Sequence, residues 1–93
     1  MLTLDTTLRI PNYVSFTFAE EDVILLNTRT NKYFALDEVG ARLWSLLGDG
    51  KALRECHQIL LQEYEVESAQ LEQDILELLE QLQQYELVEI IYK

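Results

Sequence analysis

The chain changes character near its middle, and that change constrains its fold more than any single motif. Tyr13, Phe16, Phe18, Tyr33 and Phe34 sit among β-branched residues in the first half. That mixture suits pleated, half-buried strands. The second half is dominated by Leu, Glu and Gln, which are good helix formers. Strands followed by helices in one short chain describe an α+β domain. Ninety-three residues are enough for one such domain and one core.

Punctuation places the elements. Residues 1–12 read as an irregular lead-in, with Pro11 biasing Ile10 towards extended backbone. Residues 13–18 (YVSFTF), 23–27 (VILLN) and 32–36 (KYFAL) read as three strands, linked by polar turns at 19–22 and 28–31. Short links predict an antiparallel meander with the third strand at an edge. Asp37 reads as an N-cap. Val39, Leu43, Leu46 and Leu47 then share one helical face, and Gly48 and Gly50 end that helix. A second helix is expected from Leu53 to about Tyr64, with Leu53, Cys56, Leu60 and Tyr64 near one stripe. Ser68 reads as the N-cap of a third helix running to about Tyr85, striped by Leu71, Ile75, Leu78, Leu79 and Leu82. Residues 87–91 (LVEII) read as a short tail strand. The predicted fold is winged helix-turn-helix-like, with a three-stranded antiparallel sheet followed by three helices packed on one sheet face.

Charge removes several functions. Seventeen acidic residues against seven basic ones give −10. Residues 52–93 hold ten of the acids and two of the bases. The third helix, where a winged helix would read DNA, carries Glu72, Asp74, Glu77 and Glu80 and no Lys or Arg. Phosphate would be repelled, so no nucleic acid partner is expected. Anionic membranes are disfavoured for the same reason. No apolar run reaches membrane-spanning length, and the N-terminus lacks a signal-peptide pattern. With Cys56 as the one cysteine, the expectation is a cytoplasmic protein.

Catalytic chemistry finds no foothold. Cys56 and His57 are adjacent and project about 100° apart on a helix, which suits neither a metal site nor a nucleophile–base pair. The expected arrangement is a buried thiol beside a surface imidazole. Residues 48–50 (GDG) lack the Lys-Ser/Thr of a phosphate loop. Trp44 lies off the strict stripe of the first helix and reads as core-edge packing. No cofactor, no metal and no enzymatic activity are expected.

The third strand stands out. It holds an aromatic pair, and Lys32 is its one edge-blunting charge. Such an edge is either covered, by the lead-in or a dimer partner, or it docks an extended peptide.

The residues at 22–27 (DVILLN), 32–37 (KYFALD), 39–50 (VGARLWSLLGDG), 64–66 (YEV), 74–82 (DILELLEQL) and 87–88 (LV) together resemble the PqqD-like family over roughly residues 12–90. Asp37 stands where that family often has Asn. Tyr85-Glu86 replaces a frequent Gly before the final Leu-Val, so the end of the third helix is expected to differ. The resemblance implies a recognition element for ribosomally made, modified peptides. It implies binding of a precursor leader peptide as an added strand on the third strand, against the third helix. The expected peptide-binding residues are Lys32, Tyr33, Phe34, Ala35 and Leu36 on the strand and Leu71, Asp74, Ile75, Leu78 and Gln81 on the helix. Leu76, on the opposite flank, reads as a second contact or an ordinary surface leucine.

Free-standing relatives serve lasso-peptide pathways, delivering precursor to a leader protease and cyclase, or pyrroloquinoline quinone synthesis, presenting it to a radical-SAM enzyme. The lasso type is the favoured reading, and a monomer is expected. An adaptor dimer of winged-helix type is the rival class.

Overall fold

The computed structural model describes residues 2–91. Its elements are β1 (Thr7–Arg9), β2 (Val14–Ala19), β3 (Asp22–Asn27), β4 (Lys32–Leu36), α1 (Glu38–Gly48), α2 (Leu53–Glu63), α3 (Ser68–Gln84) and β5 (Glu89–Ile91). The expected meander is present as an antiparallel sheet in the order β2-β3-β4, with β4 at one border. Three helices follow it.

Pairing fixes which side chains share a face. Val23 lies opposite Leu36, Leu25 opposite Phe34 and Asn27 opposite Lys32. On the other side Val14, Phe16 and Phe18 lie opposite Asn27, Leu25 and Val23. Directly opposed residues point the same way, so these form the inner face. Val23, Leu25 and Leu36 are buried there against α1. Tyr33, Ala35 and Ile24 belong to the outer face.

Two helix ends explain how α1 and α3 are oriented. The Asp37 side chain accepts from the Gly40 backbone N–H at 3.1 Å, the cap expected from sequence. A Cβ on Gly40 would lie 3.2 Å from the Leu36 Cβ, so glycine lets the first turn of α1 sit directly on the end of β4. At the other end the Lys51 N–H donates to the Leu46 carbonyl and Gly50 to Leu47, with Gly50 at φ +85°. This is a Schellman closure. The end of α3 repeats it: Leu87 donates to Leu82 and Glu86 to Gln83, and Glu86 takes the left-handed position at φ +57°. The helix therefore stops as a glycine-closed one would, although the residue there is glutamate.

The core joins all layers. Leu71, Ile75, Leu79 and Leu82 of α3 are buried together with Leu43, Trp44 and Leu46 of α1 and Leu53, Cys56 and Leu60 of α2. Arg42 and Glu63 tie α1 to the end of α2 through a bidentate contact at 2.9 and 2.8 Å.

Several expectations need correction. Residues 1–12 are not simply an irregular lead-in, since β1 pairs with β5 in a separate two-stranded sheet, Leu8 opposite Ile90. Arg54 holds Asp5 at 3.0 Å, so the lead-in lies against α2. Ser68 is the first residue of α3, and Glu67 occupies the cap without a side-chain hydrogen bond. His57 is buried and its Nε2 lies 2.9 Å from the Ser68 carbonyl, so it is not a surface imidazole. Trp44 is fully buried, deep in the core and not at its edge. Among the described residues its indole N–H has no acceptor.

Among the described residues no helix is long and apolar enough to cross a membrane.

Candidate functional site

The phase of the ladder decides what β4 offers. The Thr28 N–H donates to the Tyr13 carbonyl at 3.1 Å, which makes that pair a hydrogen-bonded one. Alternation along the antiparallel register then turns Ser15, Thr17, Ile24 and Leu26 towards each other's strands and Leu25 towards Phe34. It follows that the backbone N–H and C=O groups of Tyr33 and Ala35 point away from β3, to the open border. Among the described residues no strand pairs with that border.

Beside the border runs a groove of about 540 Å³ between β4 and α3. Phe34, Ala35 and Leu36 form one bank. Leu71, Asp74, Ile75, Leu78 and Gln81 form the other. On a helix each of these five has a neighbour three or four positions away within the set, which groups them on one side of α3. Leu78, half-buried, faces the groove, while Leu79 carries the core burial in that turn. The structure thus brings together eight of the ten residues expected from sequence. Lys32 and Tyr33 do not line the groove. Lys32 is exposed at the start of the strand, and Tyr33 is 68% exposed on the outer face. Strand alternation accounts for Tyr33, since it must point opposite to Phe34.

The groove also includes residues that were not among the expected peptide-binding set. Asp37 at the cap of α1, Val39, Gly40 and Leu43 of that helix, and Leu60 and Val66 in and after α2 complete its lining. The signal was Asp37, whose capping position necessarily places it at the end of β4.

Beyond the groove lining, the end of α3 is tied to the sheet. Asn27 is fully buried, and its amide Nδ2 donates to the carbonyls of Tyr85 and Glu86 at 3.0 and 3.3 Å. Its Oδ1 accepts from the backbone of Arg29 and Thr30. One side chain therefore shapes the β3–β4 turn and pins the end of α3. Phe34 meets Tyr85 edge to face at 5.2 Å across the same gap.

Electrostatically the lining is one-sided, with carboxylates at Asp37 and Asp74 and, among the described residues, no cation. Gln70 donates to one Asp74 oxygen at 2.8 Å. Elsewhere, burial pushes the Cys56 thiol up to about 11, so at neutral pH it is protonated and inert. Among the described residues no three His, Cys, Asp or Glu side chains converge as a metal ion would need.

Residues 22–88, well over half of the chain, match the family described as coenzyme PQQ synthesis protein D, PqqD. The chain belongs to the PqqD family. Two solved structures share the fold of this PqqD family member. One, TbiB1 in complex with the TbiA(beta) leader peptide, superposes with a TM-score of 0.85 at 35% identity, covering 91% of this chain and 99% of that one. The other, a lasso peptide synthetase B1 complexed with the leader peptide, gives 0.79 at 28% identity, covering 87% and 95%. The winged-helix-like α+β fold is common to all three. No curated protein matches the chain.

Proposed function

We propose that this PqqD family member binds the leader segment of a ribosomally made precursor peptide as a strand added to β4, and that it delivers the precursor to a modifying enzyme without bond chemistry of its own. The observation that carries this reading is the open β4 border lying directly beside an apolar groove. Tyr33 and Ala35 supply ladder groups, which give register but little sequence choice. Each ladder bond contributes only about 0.5–1.5 kcal/mol net, because water is displaced from both partners. Selectivity comes from apolar leader side chains that enter between Phe34 and Leu36 on one bank and Leu71, Ile75 and Leu78 on the other. Each is worth roughly 1.5–3 kcal/mol when fully buried.

The two structural relatives, both held with leader peptides and one named a lasso peptide synthetase component, support a lasso-peptide pathway. There the partners would be a leader protease and a cyclase. The family description supports a second reading, presentation of a precursor in pyrroloquinoline quinone synthesis. In either pathway the gain is effective concentration, the precursor being tethered beside its enzyme.

Titration of isotopically labelled protein with a synthetic cognate leader tests the binding. The amides of Tyr33 and Ala35 and the α3 residues 71–81 should show the largest shifts. Saturable binding that leaves those amides unmoved would contradict the proposed site.

A further inference from the structure

Among the described residues the sheet has a second open border, and it is the less protected one. β2 lies opposite β4 in the strand order. Its six residues, VSFTFA, include no charge and no proline. Edges of this kind invite pairing unless something covers them. α1 packs chiefly over β3 and β4, and Val14 at the start of β2 is buried, so it is the Phe16–Phe18 part of the inner face that reaches past the helices. Phe16 and Phe18 stand on that face, 46% and 53% exposed, edge to face at 5.9 Å. Phe16 also leans on Trp44 at 5.8 Å. The ladder phase that turns Tyr33 and Ala35 outward on β4 turns Phe16 and Phe18 outward on β2. The same two residues therefore present apolar rings and unpaired backbone groups.

Charge along this border is arranged in opposite senses at its two ends. The β2–β3 tip carries Glu20, Glu21 and Asp22, and none of them is in an ion pair among the described residues. At the other end the Arg29 guanidinium lies 4.7 Å over the Tyr13 ring and is likewise in no ion pair. Reversing the strand about a two-fold axis would bring acid against base.

We propose that β2 pairs antiparallel with β2 of a second copy of this chain, giving an isologous dimer with a continuous six-stranded sheet. A two-fold through Thr17 sets Phe16 opposite Phe18 of the second copy, a hydrogen-bonding pair by the ladder phase. Four phenylalanine rings then cover one another at the centre. The same register sets Glu21 opposite the Tyr13–Arg29 end. Opposite charges at the two ends of one strand are self-complementary under a two-fold, which is the property an isologous contact uses. Both β4 borders remain at the outside of the dimer, so leader binding and dimerisation can succeed or fail independently.

Sedimentation velocity over the micromolar range, with charge-exchanged variants, tests this. The unaltered protein should associate reversibly to a dimer. Phe18→Ser, Arg29→Glu, and the double change Glu20→Arg with Glu21→Arg should each weaken association at least about tenfold, because each leaves a like-charge or unfilled contact. An equimolar mixture of the Arg29→Glu chain with the Glu20→Arg, Glu21→Arg chain should recover the dimer, since acid and base again face each other. A chain that stays monomeric up to millimolar concentration would overturn the proposal. So would a dimer indifferent to all three changes, or one dissolved by leader peptide, which would place the contact at β4. A chain that is monomeric alone but loses binding to a modifying enzyme on Phe18→Ser would also overturn it, assigning this surface to that enzyme.

Discussion

The side-chain amide of Asn27 donates to the Tyr85 carbonyl at 3.0 Å, joining the end of β3 to the end of α3 across 58 residues of sequence. Because Phe34 meets Tyr85 at the same place, this bond holds the two banks of the groove at a fixed separation. Replacing Asn27 with Ala removes a buried donor from two carbonyls and an acceptor from the Arg29 and Thr30 amides. The expected loss is roughly 2–3 kcal/mol, the cost of leaving buried polar groups unpaired. For a domain of this size, thermal unfolding should move down by about 10–20 °C. Leader affinity should fall as well, because the groove is no longer held at its width. Calorimetric scanning and peptide titration check the two effects separately.

Glu86 occupies a left-handed backbone position that Gly50 occupies in the matching closure of α1. A side chain there crowds the following carbonyl, at about 1–2 kcal/mol. Glu86→Gly should therefore stabilise the protein by about 1 kcal/mol, after allowance for the greater freedom of glycine in the unfolded chain. Gly50→Ala should destabilise it by a similar amount. Urea midpoints measure both, and a destabilising Glu86→Gly would contradict the closure described.

Asp74 is exposed on the α3 bank, in a lining without cations. A basic leader side chain reaching this bank would gain a charge-assisted hydrogen bond, worth about 1.5–3 kcal/mol. With such a leader, Asp74→Lys should weaken binding by about tenfold or more, and Asp74→Asn by less. Raising salt should weaken binding to the unaltered protein more than to Asp74→Asn. Equal salt dependence would leave Asp74 outside the contact.

Arg42 holds the Glu63 carboxyl below its ordinary value, chiefly through their hydrogen bonds, and Arg54 does the same for Asp5. A carboxylate whose folded value lies below its unfolded one stabilises the fold fully above the unfolded range, near 4.3 for Glu. That contribution disappears as pH falls through the lower folded value. Both pairs are exposed, so each effect is small. Arg42→Gln should lower the neutral plateau of a stability–pH curve slightly and leave stability below the folded value nearly unchanged, so that the acid limb becomes shallower.

Local signals in the sequence carried much of the fold. Asp37 capping α1, the Leu71–Leu82 stripe and the alternation of Phe34 and Leu36 each rest on residues a few positions apart, where periodicity and capping chemistry apply directly. Eight expected groove residues meet because the helix presents a regular face and the β4 border carries Phe34, Ala35 and Leu36 beside it. Non-local features were not legible. The pairing of Leu8 with Ile90 joins three-residue strands too short to show alternation. His57 is buried by the start of α3, and nothing near it in sequence says so. Asn27 reads as the last residue of a strand, and its bonds to the end of α3 depend on a segment 58 residues away. Tyr33 was grouped with its strand, although period two sends it to the other face.

The central claim is that β4 takes a guest strand through the outward backbone groups of Tyr33 and Ala35. The most direct measurement is leader affinity, by calorimetric titration, for Ala35→Pro beside the unaltered protein. Proline at this position removes an N–H that faces away from β3, so the meander keeps its own ladder. Helical circular dichroism and the unfolding midpoint should stay close to the original values, while leader binding falls at least about tenfold through the lost bond and the obstructed approach. Undiminished affinity in a folded Ala35→Pro protein would show that the leader does not pair with this strand.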